Sequence, residues 1–93
     1  MTVNVITVKL YAPWVHSLKE KRMIVKSLCA KLRNKFNISV IENDAQDVHQ
    51  TIVIAIAFLS SANVTADSTI ESISSFVEQN TDAEIVEFLV QQR

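Results

Sequence analysis

From Ile52 to Leu59 the chain runs through eight apolar residues without a break. In extended backbone, Ile52, Ile54, Ile56 and Phe58 share one face, and Val53, Ala55, Ala57 and Leu59 share the other. A strand apolar on both faces belongs in the middle of a sheet, because at an edge it would invite pairing with other chains. A bilayer span needs about 20 such residues, so the run reads as a buried strand and no membrane segment is expected.

The rest of the chain supplies its neighbours. Residues 2–12 alternate as a strand rich in β-branched side chains, which Pro13 stops because proline cannot donate to a ladder. Ser17 and Glu20 have the spacing of a capping box and place a helix start at Leu18. Leu18, Val25, Leu28, Cys29, Leu32 and Phe36 recur at helical spacing, so the helix should run to about Lys35, with Asn34 and Asn37 as terminators. Residues 38–43 form a short strand, a polar turn follows at residues 43–47, and the long strand spans about 48–59. A second helix should begin between Asn63 and Ser68, where Ser68 and Glu71 offer another capping box, and end near Asn80. Residues 84–90 alternate acids and hydrophobes as a last strand.

The order β-α-β-β-α-β over residues 1–93 points to one α+β domain. Its compact solution is a ferredoxin-like sandwich: four antiparallel strands in the order 4-1-3-2, with both helices on one face. That leaves the other sheet face uncovered. A homodimer packed through the sheets is the simplest cover, with Ile54, Ile56 and Phe58 as its expected interface.

Composition narrows function by exclusion. There is no glycine in 93 residues, where average usage would give roughly six. Phosphate-binding loops, dinucleotide turns, EF-hand loops and the KH clamp all need glycine where a side chain would clash. The one cysteine rules out disulfide frameworks and four-thiolate metal sites. With no export signal at the N-terminus, a cytoplasmic location is expected, and no cofactor is implied.

The net charge of −1 hides a polarised chain. Residues 1–36 carry eight basic side chains against Glu20, a balance of +7; residues 37–93 carry Arg93 against nine carboxylates, a balance of −8. Seven of the nine basic residues lie between 19 and 35. At about 100° per residue, Lys19, Arg22, Lys26 and Arg33 fall within roughly 60° of one another, as a stripe about 20 Å long. Lys19, Lys21 and Arg22 also sit in the first turns, where cations oppose the helix dipole and free N–H groups favour an anion. Lys19, Lys21, Arg22, Lys26 and Arg33 are therefore the candidate phosphate or RNA contacts. Base stacking of the RRM kind is not expected, since the central strands offer only Tyr11 and Phe58 and lack the glycine-bearing motif.

Other chemistry is sparse. Cys29 lies on the apolar helix face, as a small hydrophobe would. His16 and His49 lack zinc-ligand spacing, and Asp44, Asp47 and His49 read as solvated turn residues. No nucleophile stands visibly beside a base, so no enzymatic activity is expected. Trp14 fits either an anchor for the strand-to-helix turn or part of a partner site.

The segments Ser17-Leu18-Lys19-Glu20-Lys21-Arg22, Val25-Lys26-Ser27-Leu28 and Leu32 to Val40 together resemble the YlxP-like family of small bacterial proteins. The resemblance covers the layout of the whole chain and implies a ferredoxin-like fold. The family's usual gene neighbourhood, beside translation-initiation and ribosome-maturation genes, implies an RNA- or ribosome-linked role; a protein-interaction module is the alternative. Where the family commonly has a bulky aromatic and an arginine, this chain has His49 and Thr51, and it has Ala55 near a usual glycine. The resemblance therefore supplies no RNA contact from the hairpin or third strand, and no catalytic residues.

Overall fold

A computed structural model describes residues 1–43 and 48–93. The elements run β1 (Thr2–Tyr11), α1 (Leu18–Lys35), β2 (Ser39–Glu42), β3 (Thr51–Ser60), α2 (Asn63–Asn80) and β4 (Glu84–Gln92). All strand pairs are antiparallel and the sheet order is β2-β3-β1-β4, the ferredoxin-like order read from the sequence. β3 is flanked on both edges, as its two apolar faces require. It begins at Thr51 rather than 48, and the Val48 carbonyl accepts from Lys21 Nζ (2.7 Å) instead of joining the ladder. The turn expected at residues 43–47 lies, from residue 44 onward, outside the described residues.

The core forms on one face of the sheet. Ile6, Val8 and Leu10 of β1, Val40 of β2 and Ile52, Ile54, Ile56 and Phe58 of β3 meet Val25, Leu28 and Leu32 of α1 and Ile73 and Val77 of α2. Fully burying such a side chain contributes about 1.5–3 kcal/mol. Ile54, Ile56 and Phe58 are thus core residues, which corrects their assignment to an interface. The physical reason is volume: the larger side chains of β3 fill the space under the helices, and the smaller Ala55 and Ala57 take the other face. Phe36 meets Phe76 edge to face, 5.5 Å between ring centres, and joins the end of α1 to α2.

The helix ends show how a chain without glycine turns. Ser17 Oγ accepts from the Glu20 N–H (3.1 Å), and Glu20 reaches back to the His16 N–H (3.3 Å), one residue beyond the usual reciprocal bond. At its other end α1 passes straight into extended backbone at Phe36 (φ −124°, ψ 151°), whose N–H still bonds the Leu32 carbonyl. No left-handed terminator is used, and neither Asn34 nor Asn37 ends the helix. α2 starts at Asn63, with Ala62 as an N-cap that makes no side-chain bond, so Ser68 and Glu71 lie inside the helix rather than at its start.

Asn4 is a buried polar residue among apolar ones. Its amide donates to the Ser60 hydroxyl (2.9 Å) and the Phe58 carbonyl (3.3 Å), and its oxygen accepts from Gln92 Nε2 (3.0 Å). One side chain thereby fastens β3 and β4 to β1. Asn4→Ala strands these partners and should lower stability by about 1–3 kcal/mol, read as a lower urea midpoint at unchanged slope.

Candidate nucleic-acid interface

Lys19, Arg22, Lys26 and Arg33 are exposed along one side of α1, as their helical spacing requires. Over fourteen residues the stripe extends about 21 Å. Its far end is fixed by Arg33, whose Nη2 donates to the Val40 carbonyl of the edge strand β2 (2.7 Å). A guanidinium has five donors, so this bond leaves most of them available. Among the described residues none of the four cations has a carboxylate partner, and the ion pair formed is that of Lys21 with Glu42. The stripe is therefore a row of uncompensated positive charge.

Lys21 does not belong to it, which corrects its place among the phosphate contacts. Its side chain is only 1% exposed, with Nζ donating to the Val48 carbonyl (2.7 Å) and standing 3.4 Å from Glu42 Oε2. That carboxylate oxygen is itself buried and receives no hydrogen bond among the described residues, so the ammonium charge is what holds it. The pair ties α1 to the end of β2 and to the approach to β3. The signal was present in the sequence: Lys21, Val25, Leu28 and Leu32 follow at i, i+4, i+7 and i+11, on the core-facing stripe. A charge that falls in an apolar stripe needs a buried partner, and Glu42 is that partner.

Other candidates stay apart from the stripe. Cys29 is buried, and burial pushes its thiol up from its usual value; Arg33 opposes that rise and Glu42 adds to it. Trp14 is half exposed and lines a groove of about 310 Å³ with Met23, Ile24 and Ser27 of α1 and Asn80 to Asp82. His16 and His49 are exposed. Among the described residues no group of three His, Cys, Asp or Glu gathers to hold a metal ion; Asp44 and Asp47 lie outside them. Among the described residues no helix is long and apolar enough to cross a membrane.

Two expectations follow from this packing. Lys21→Ala leaves the Glu42 carboxylate buried without its cation and should cost about 3 kcal/mol, whereas Lys21→Met with Glu42→Gln recovers most of that in the same thermal unfolding assay. The raised Cys29 thiol, being buried as well, should react with a thiol reagent at pH 8 at least tenfold more slowly in the native protein than after unfolding, because little of it is thiolate.

A family model described as protein of unknown function (DUF503) matches residues 3–90. The chain is similar to the uncharacterized protein YlxP of Bacillus subtilis (strain 168), with 34% identity over 68 residues that cover 73% of this chain and 74% of YlxP. Among solved structures it is similar to At3g17210 from Arabidopsis thaliana, at a TM-score of 0.49 and 12% identity, over 98% of this chain and 92% of that one.

Proposed function

This chain belongs to the DUF503 family, and from that starting point we propose that it is a non-enzymatic module that binds RNA, free or within the ribosome, through the exposed side of α1. The observation that carries the reading is the row of Lys19, Arg22, Lys26 and Arg33, none with a carboxylate partner among the described residues, set on a helix that Arg33 ties to β2. Single-stranded RNA carries a phosphate every few ångströms, so a row about 21 Å long meets several at once. The contact is with the backbone. It reads charge and spacing, not base identity. The mean charge of the chain is misleading here, because nearly all of its acids lie beyond residue 36.

A second reading, of a protein-assembly module, is favoured by a different observation. On the sheet face away from the helices Val3, Ile41, Leu59 and Leu89 are exposed together.

With four phosphates neutralised, the slope of log K against log salt on a single-stranded RNA oligomer should be about −3. Fluorescence anisotropy between 50 and 200 mM salt (roughly the range over which such slopes are read) measures it. Arg22→Glu with Lys26→Glu should lower affinity more than tenfold while the unfolding curve is unchanged. A slope near zero, or affinity indifferent to that double reversal, sinks the RNA reading.

A further inference from the structure

The strand registers map the face away from the helices row by row; all of its β3 residues but Val53, which is only 8% exposed, are half-buried or exposed. Leu59 and Val3 lie beside Arg93; Ser39, Ala57, Val5 and Gln91 form the next row; then Ile41, Ala55, Thr7 and Leu89; then Val53, Lys9 and Glu87. The centre is low, because Ala55 and Ala57 carry single methyl groups, and a hollow of about 180 Å³ opens there between Val5, Ser39 and Ile41. The surroundings are high: Ile41 is 60% exposed and Leu59 64%. One face thus carries both the apolar knobs and an apolar depression, which is what an isologous contact requires.

Charge on the face is balanced in the same self-complementary way. Lys9 stands opposite Glu87 in the β1–β4 register, and Arg93, its guanidinium held by Gln91 (2.9 Å), lies two rows beyond Leu89 on β4's side of the sheet. No stretch of this face repels its own copy, whereas the α1 side, with its four uncompensated cations, does. Nucleic acid has nothing to neutralise here, and a strongly charged protein would leave the apolar centre unfilled.

We infer that this face seats a second copy of the chain about a twofold axis that crosses the strands between the Ala57 and Ala55 rows. The operation sets Ala57 against Ala55 of the other copy and Arg93 against Glu87, and brings Leu59 to the hollow that Thr7, Lys9 and Glu87 line, beneath which Val53 is only 8% exposed. Aligned sheets packed this way lie about 10 Å apart, the spacing of a sandwich core. A face of four strands, each up to ten residues, covers roughly 500–600 Å² per copy, or roughly 1,000–1,200 Å² in all, which reaches the size of a specific interface. The inference rests on the assembly reading of the sheet and is independent of the nucleic-acid reading, which concerns the opposite layer.

Sedimentation equilibrium of the full chain from about 1 to 200 μM tests it. The expected result is a mass of twice 10.4 kDa at the upper end, at least a tenfold weaker dimer for Leu59→Asp, and the same for Glu87→Arg. Combining Glu87→Arg with Arg93→Glu should restore association, a rescue that a merely structural effect cannot give; far-UV circular dichroism checks that each variant is folded. Dimers insensitive to Leu59→Asp, or not rescued by the charge exchange, overturn the proposed arrangement. A monomer throughout overturns the second copy as occupant. In that case binding of the dye 8-anilinonaphthalene-1-sulfonate, lost in Leu59→Asp, leaves the assembly reading standing, and absence of dye binding removes that reading too.

Discussion

β3 is the strand on which the rest of the molecule depends. Its ten residues pair with β1 along one edge, Ile54 to Ala57 pair with β2 along the other, and nearly all are apolar, so they dictate what lies on each side. On the side of Ile52, Ile54, Ile56 and Phe58 two helices supply a closely packed cover. On the side of Val53, Ala55, Ala57 and Leu59 cover is partial among the described residues: Val53 is only 8% exposed, Ala55 and Ala57 are half-buried, and Leu59 is 64% exposed. A two-layer fold of one sheet and two helices can bury only one of two apolar faces. The difference in side-chain size decides which one, because helices need large side chains to fill the gap beneath them.

The same logic divides the cations of α1. A helix packed on a sheet has a core-facing stripe, and any residue that falls in its phase is taken inside whatever its charge. Lys21 is in phase with Val25, Leu28 and Leu32, so it is buried, and the cost of its ammonium is offset by Glu42 and the Val48 carbonyl. Lys19, Arg22, Lys26 and Arg33 are out of phase and remain in water. A run of basic residues that looks uniform along the chain thus separates into a buried structural cation and an exposed row. Their roles are set by angle around the axis rather than by composition.

Much of this was legible in the residues alone. The six elements, their order and the strand order followed from periodicity and from the demand that β3 be central. The capping role of Ser17 followed from its spacing to Glu20. What was not legible has physical causes. With both faces of β3 apolar, alternation does not say which is covered, and Ile54, Ile56 and Phe58 were placed on the wrong side. α2 begins at Asn63, the early limit of the range read from the sequence, with no side chain capping it, and the capping spacing of Ser68 and Glu71 falls inside the helix instead. The three-strand clasp of Asn4 joins residues 54 to 88 positions apart, a separation over which local pattern is silent.

The absence of glycine acts on both surfaces. Without left-handed residues the helices leave directly into extended backbone, as at Phe36 and Thr81, and connections stay close to the layers they join. At one end of the sheet face Asn43 and Val48 border a hollow with Thr7, Lys9 and Glu87. A phosphate chain meeting this protein finds side chains of full length and no backbone cradle, so whatever grip it has depends on charge and is weakened by salt. Packing through the sheet face turns both helical layers outward, and the two basic rows then lie on opposite outer sides of the pair. The proposed association through the sheet and the proposed contact through α1 therefore draw on separate residues, and a substitution aimed at one leaves the residues of the other in place.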